Sequence, residues 1–138
     1  MSSSYEEVFD GFTDRQLVSI LEEQDYKNVR ILASGVIGFM HNSMNYLINN
    51  NYNDGSMGIL IIFNDIDMSF VDMNEWNKDK RFATVYKDDN GHLCLKMDFE
   101  SGMTEAYLIK SIKRFTTLQA IFSLSKLGGL AALLNMFK

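Results

Sequence analysis

Cys94 and His92 are the side chains whose spacing in this sequence could support nucleophilic catalysis. They stand two residues apart, so they would share a face of a strand. A catalytic thiol also needs a lowered pKa and a third group that orients the histidine, and nothing in the sequence provides one. His41 falls in a predicted turn, and two histidines with one cysteine match no zinc pattern. We therefore predict that the chain is not an enzyme and has no catalytic residue, metal site or cofactor.

Basic and aromatic side chains interleave near residue 80, a mixture that single-stranded nucleic acid modules use for charge contacts and stacking. These residues are Trp76, Arg81, Phe82 and Tyr86. Separately, Lys110, Lys113 and Arg114 could form a local basic patch, or they could be the solvated face of a helix. The formal net charge is −5, and an acidic protein is disfavoured as a partner of phosphate backbones. We expect no nucleic acid partner.

The composition indicates a single soluble domain. The chain has 138 residues, of which 46% are hydrophobic, enough to bury a core. Its one cysteine allows no internal disulfide, which fits a reducing cytoplasm. There is no apolar segment of the secretory-signal type, and the apolar runs are shorter than the ~20 residues that span a bilayer. We predict one cytoplasmic domain over 1–138, with its core over 12–126 and no membrane partner.

The first predicted element is a helix that begins after residue 12. Thr13 and Gln16 have the spacing of a capping box. Leu17, Ile20 and Leu21 then form one apolar stripe. The sequence therefore predicts an amphipathic helix that packs on the rest of the domain.

A series of strands follows, because the hydrophobic period changes from about 3.6 to two. The predicted strands cover residues 28–34, 35–41, 43–51 and 57–65. The last of them is a continuous apolar run, which predicts a central strand buried on both faces. A short helix capped by Asp72 should come next and carry Trp76 four positions later.

A β-hairpin is the clearest predicted element, because an Asn-Gly pair at 90–91 separates two alternating runs. If these two residues form the loop, Tyr86 lies opposite Leu95 and Phe82 lies opposite Phe99. This register would turn the large side chains of both strands towards the core.

The last helix should be capped by Thr104 and stopped by Gly128 and Gly129. Beyond it, residues 127–138 form an apolar extension in which Lys138 is the only charge. This extension could fold back on the core, pair with another copy or a partner, or touch a membrane. Its candidate contacts with a partner or second copy are Leu127, Leu130, Leu133, Leu134 and Phe137.

The middle of the chain carries a composite pattern: an Asn-x-Trp-Asn segment, a basic spacer, an Arg-Phe pair, an Asp/Gly hairpin and a Gly-x-Thr-Glu helix start. Its positions are Asn74, Trp76, Asn77, Arg81, Phe82, Asp89, Gly91, Gly102, Thr104 and Glu105. This pattern resembles that of the YbjN family of bacterial proteins. The resemblance is close over 72–115, extends over 14–64 and is absent beyond about 126. Ser101 departs from the pattern, because a second glycine is usual there.

The resemblance implies an α+β fold like that of type III secretion chaperones, with an antiparallel β-sheet flanked by helices. It implies no established enzymatic activity and supplies no catalytic residues. The function expected is that of a non-enzymatic, chaperone-like or regulatory module that binds a protein partner, in the form of a homodimer. The partner's segment would be buried at a sheet edge or in an apolar groove. The alternative is a small-ligand sensor, or less plausibly an enzyme, with its site in the crevice between sheet and helices.

The central motif has an expected structural role and an alternative one. Trp76 should seal the chain crossing by burying its rings, and Asn74 and Asn77 should hydrogen-bond backbone groups left unpaired by the turn. Arg81 should pair with a carboxylate or carbonyl group while Phe82 begins a core strand. The alternative is that the motif contacts a partner directly.

Overall fold

A six-stranded antiparallel sheet forms the centre of the computed structural model, which describes residues 7–51, 53–64 and 66–126. The helices are α1 (Asp14–Glu23), α2 (Phe70–Asp79) and α3 (Glu105–Lys126). The strands are β1 (Val8–Phe9), β2 (Lys27–Ala33), β3 (Val36–His41), β4 (Met44–Asn49), β5 (Met57–Phe63), β6 (Thr84–Lys87), β7 (Leu93–Phe99) and β8 (Met103–Thr104). The sheet order is β2-β3-β4-β5-β7-β6, and β1 pairs separately with β8. The prediction of an α+β fold with an antiparallel sheet flanked by helices is confirmed.

Helix α1 forms as its sequence predicts. The backbone N–H of Gln16 donates to Thr13 Oγ1 at 3.1 Å, and the Thr13 N–H donates to Gln16 Oε1 at 2.7 Å. This reciprocal pair satisfies two N–H groups that a helix start leaves without partners. Leu17, Ile20 and Leu21 are buried, so the predicted apolar stripe is the face that packs on the sheet.

One face of the sheet packs against all three helices. Aligned side chains of neighbouring strands, such as Ile48, Ile59 and Met97, are buried together on that face. They belong to one core cluster with residues of every helix. The prediction that β5 is buried on both faces is wrong, because Ile62 on its opposite face is 38% exposed.

Buried hydrogen bonds fix α3 on the sheet. The hydroxyl of Tyr46 on β4 donates to Gln119 Oε1 at 2.9 Å, and Gln119 Nε2 donates to Ser123 Oγ at 2.8 Å. Burial raises the pKa of the Tyr46 hydroxyl, which therefore stays protonated and keeps donating. Phe115 lies one helical turn before Gln119, is fully buried and packs edge-on against Tyr46. These contacts determine which face α3 turns outward.

The predicted register of the hairpin is wrong by one residue. Val85, and not Tyr86, lies opposite Leu95, so the buried residue of β6 is Val85. The loop is longer than the Asn-Gly pair, because Asp88 Oδ1 accepts the backbone N–H of both Asn90 and His92. A shift of one residue turns every side chain of a strand to the other face. Tyr86 consequently lies on the face away from the helices, beside Cys94.

Two further details differ from the sequence-based predictions. Helix α2 is capped by Ser69, whose Oγ accepts the Asp72 N–H at 3.1 Å, so Asp72 lies inside the first turn and is not the cap. The pairing of β1 with β8 was not predicted.

The start of α3 is capped as the sequence predicts. The Tyr107 N–H donates to Thr104 Oγ1 at 3.1 Å. The expected stop at Gly128 and Gly129 lies outside the described residues.

Candidate binding cleft around Phe82

Trp76 fixes the connection between α2 and β6. Its side chain is 1% exposed, and its Nε1–H donates to the Ala83 carbonyl oxygen at 3.1 Å. Its ring packs edge-on against Phe122 of α3, with centroids 4.9 Å apart. Trp76 therefore ties residues 80–83 both to α2 and to the long helix.

Asn77 seals the outer edge of β6. Its side-chain Nδ2 donates to the Val85 carbonyl at 3.0 Å, and its Oδ1 accepts the Val85 N–H at 2.8 Å. Since β6 is an edge strand, these backbone groups of Val85 point away from β7 and would otherwise be open to another strand. The side chain of Asn77 thus occupies the place of a seventh strand.

Phe82 precedes the two anchored residues, Ala83 and Val85, and has a strained backbone conformation. Its φ is +77°, and the Ala83 N–H donates to the Arg81 carbonyl at 3.0 Å across it. A bond between residues i and i+2 around such a φ is a γ-turn of the rare, strained kind. The Phe82 side chain is 52% exposed. The expectation that Phe82 begins a core strand is therefore wrong, since β6 begins at Thr84.

The Phe82 ring contacts two arginines. The guanidinium carbon of Arg114 lies 4.4 Å from the ring centroid, and that of Arg81 lies 5.3 Å from it. Arg81 precedes the ring in the chain, whereas Arg114 comes from α3. Cation–π attraction holds each guanidinium against the ring although the two charges repel each other.

These residues line an open cleft of about 590 Å³ between α3 and the α2–β6 connection. Its charged lining contains five cations and one carboxylate: Lys80, Arg81, Lys110, Lys113, Arg114 and Asp79. Five of the chain's 13 lysines and arginines thus meet in one place on a protein of net charge −5. Among the residues that the structure describes, no carboxylate forms an ion pair with any of the five. The expectation that Arg81 pairs with a carboxylate or carbonyl group is therefore not met in the described residues.

The other motif positions lie away from this cleft. Asn74 is exposed on α2 and makes no side-chain hydrogen bond within the described part of the chain. Gly91 and Gly102 have φ values of +80° and +78°, which glycine adopts readily. Gly91 lies in the hairpin loop, and the Gly102 N–H donates to the Phe9 carbonyl beside β8. The candidate contact residues Leu127, Leu130, Leu133, Leu134 and Phe137 lie outside the described residues.

Cys94 is buried on the face of the sheet opposite the helices. It is 1% exposed, and burial raises the pKa of its thiol. Its Sγ lies 3.6 Å from the backbone oxygen of His92, while His92 Nδ1 lies 3.6 Å from Asp88 Oδ2. A thiol with a raised pKa is largely protonated near neutral pH, which is the opposite of nucleophile activation.

Comparisons with protein-family models, with curated proteins and with solved structures find no match to this chain. None of the helices described is long and apolar enough to cross a membrane. Over the described ranges no group of three or more histidine, cysteine, aspartate or glutamate side chains could hold a metal ion.

Sequence reasoning found the components of the cleft but did not bring them together. The Arg-Phe pair and the basic residues of α3 lie far apart in the chain. A usable signal was present, since Lys110, Lys113 and Arg114 have i, i+3, i+4 spacing and share one helix face. What the sequence lacks is any local sign that this face meets Phe82.

Proposed function

We propose that this chain is a non-enzymatic protein-binding module whose Phe82 cleft receives an acidic segment of a partner protein. The observation that carries the proposal is the half-exposed Phe82, which a strained turn holds beneath two arginines that have no carboxylate partner in the described residues.

Stability alone does not account for Phe82. A non-glycine residue in such a backbone conformation costs roughly 1–3 kcal/mol. The exposed half of the ring forfeits about 1 kcal/mol or more that full burial would contribute. Glycine would avoid the strain, and a polar side chain would avoid the exposure. Strain that the surrounding structure maintains is typical of binding sites, and here Trp76 and Asn77 maintain it.

The arrangement suits carboxylates. An arginine stacked on an aromatic ring keeps the N–H groups at its edge available, and this fork matches the two oxygens of a carboxylate. Hydrogen bonds to charged groups contribute about 1.5–3 kcal/mol each. We assign Phe82 the task of holding both guanidinium groups in position, and Arg81 and Arg114 the task of binding the partner's carboxylates.

An acidic protein segment fits better than a nucleic acid. The net charge of the chain is −5, so a long polyanion would meet repulsion outside the cleft. Nucleic acid modules spread their cations along a groove that tracks many phosphates. Here five cations line one cleft, which they share with Asp79.

The proposed site is not the sheet edge, which is one of the two places that the sequence suggested, the other being an apolar groove. At the β6 edge, Asn77 already occupies the backbone groups of Val85, so strand addition there would require its displacement. The chaperone-like or regulatory role, the homodimer and the cytoplasmic location are part of the proposal. The role and the homodimer rest on the resemblance to the YbjN family, and the cytoplasmic location rests on the single cysteine.

The proposal is tested by capturing partners from a cell extract with matched variants and weighing the complexes by native mass spectrometry. Phe82→Leu and Arg114→Glu should lose a chain that the wild type retains at fixed stoichiometry. Lys27→Glu on β2, an exposed charge outside the cleft, should retain it. Equal capture by all four proteins would overturn the proposal. Retention of only a small molecule or a nucleic acid by the cleft would do so as well.

A further inference from the structure

The outward face of α3 begins as a basic surface. Lys110, Lys113, Arg114 and Thr117 follow i, i+3, i+4, i+7 spacing, and all four are exposed. Three of them carry a positive charge, and all four line the Phe82 cleft. The opposite face of α3 holds the buried Leu108, Ile112 and Phe115, so this basic face is turned away from the core.

The same face becomes apolar towards the end of the helix. Leu118 is half-buried and lines the cleft beside Phe82. Leu124 is 39% exposed and lies 14 residues after Lys110, about four full turns further along. The surface from Lys110 to Leu124 is about 21 Å long at 1.5 Å per residue. The charged residues therefore occupy the beginning of this helix face, and the apolar residues occupy its end.

We infer that the partner segment lies along α3 with its acidic residues over the basic end and its apolar residues over the Leu118–Leu124 end. This inference rests on the proposed function of the cleft and specifies the partner's chemistry. The segment would be amphipathic along its length, with an acidic block next to an apolar block. Lying on a helix face of this length, it would span about four turns if it were itself helical.

A second copy of this chain does not fit the same face. If two copies placed their α3 helices in parallel, Lys110 and Arg114 would meet their own counterparts, and like charges repel. If the helices ran antiparallel, the basic end would cover Leu124 and its charges would lose water without a partner. Charge complementarity therefore selects a different, acidic protein.

Two synthetic peptides of identical composition test the inference, with binding to the full chain measured by fluorescence anisotropy at low salt. In the block peptide all glutamates occupy one half, and leucines with one phenylalanine occupy the other half. In the mixed peptide the same residues are distributed over the whole length. We expect the block peptide to bind at least about tenfold more tightly, a difference of about 1.4 kcal/mol.

Two variants locate the halves of the block peptide. Arg114→Glu and Leu124→Asn should each weaken its binding about tenfold, equivalent to about 1.4 kcal/mol. Lys27→Glu should leave it unchanged. Zero-length coupling should join its glutamates to Lys110 or Lys113. Thermal unfolding of each variant confirms that the fold is intact.

The outcomes separate this inference from the function on which it rests. Equal binding of the two peptides, with sensitivity to Arg114→Glu but not to Leu124→Asn, would overturn the lengthwise arrangement and leave the acidic cleft standing. Insensitivity to Arg114→Glu, or absence of binding by either peptide, would overturn both.

Discussion

The guanidinium carbon of Arg114 lies 4.4 Å from the ring centroid of Phe82, although the two residues are 32 positions apart in the chain. This contact joins α3 to the turn before β6. It is possible only because Phe82 points outward from a strained turn, and because buried contacts of α3 turn Arg114 towards that ring. The pair therefore links the fold to the proposed binding site.

Because the backbone at Phe82 is strained, replacing Phe82 should lower the free energy of unfolding unusually little. Phe82→Gly relieves the unfavourable φ, but it loses the half-buried ring and adds freedom to the unfolded chain. These terms nearly cancel, so the free energy of unfolding should change by less than about 1 kcal/mol, against about 3–5 for a buried aromatic. Urea unfolding checks this. A loss of several kcal/mol would show that Phe82 is a core residue and not a displayed one.

Trp76 should be the costliest single residue of the connection. Trp76→Ala removes a fully buried ring and should lower the free energy of unfolding by about 3–5 kcal/mol. Trp76→Phe is the matched control, because it keeps a buried aromatic ring but loses the hydrogen bond to Ala83 and part of the packed volume, so it should cost less than Trp76→Ala. An unchanged melting temperature for Trp76→Ala would contradict the buried position.

Asn77 and Asn74 form a matched pair on the same helix. Asn77→Ala leaves the N–H and carbonyl of Val85 without their partners and should cost about 1–2 kcal/mol. It also opens the β6 edge, so light scattering on heating should show association at a lower temperature. Asn74→Ala removes an exposed side chain and should change stability by less than about 0.5 kcal/mol. Similar effects of the two substitutions would contradict the sealing role of Asn77.

The thiol of Cys94 should be unreactive in the folded chain. Burial raises the pKa of this thiol, so at a given pH a smaller fraction of Cys94 is thiolate than of a free cysteine. The thiolate fraction becomes large only when the pH rises above the pKa of a free cysteine. Iodoacetamide reacts with the thiolate and not with the protonated thiol. Alkylation of Cys94 at pH 8 should therefore be at least about tenfold slower in the native chain than in the chain unfolded by urea. An alkylation rate in the native chain equal to or above that in the unfolded chain would contradict this prediction and would support a nucleophilic role for Cys94 beside His92.

Local signals predicted some elements and misled about others. The capping box of α1 depends on residues three positions apart, so Thr13 and Gln16 predicted it directly. The hairpin misled, because the Asn-Gly pair favours a two-residue loop but the Asp88 carboxylate organises a longer one. Since strand faces alternate, that one-residue difference moved Tyr86 from the core to the outer face.

The candidate cleft could not be assembled from the sequence for a different reason. Each of its parts has an ordinary local explanation: Phe82 as the first residue of a strand, and Lys110 and Arg114 as a solvated helix face. The tertiary contacts of Trp76 with Phe122 and with Ala83, together with that of Arg114 with Phe82, bring the turn and α3 together. Such contacts between distant residues leave no periodic pattern in the chain.

The most direct test of the central claim observes the two guanidinium groups while an acidic segment binds. The side-chain Nε–H signals of Arg81 and Arg114 would be followed by NMR in the ¹⁵N-labelled chain during titration with the block peptide. Phe82→Leu and Arg114→Lys would serve as matched variants. We predict that both signals shift together in a saturable manner, and that Phe82→Leu removes the shift and Arg114→Lys weakens the binding. Unchanged arginine signals at saturating peptide, with shifts elsewhere on the chain, would contradict the claim that Phe82 presents these arginines to a partner's carboxylates.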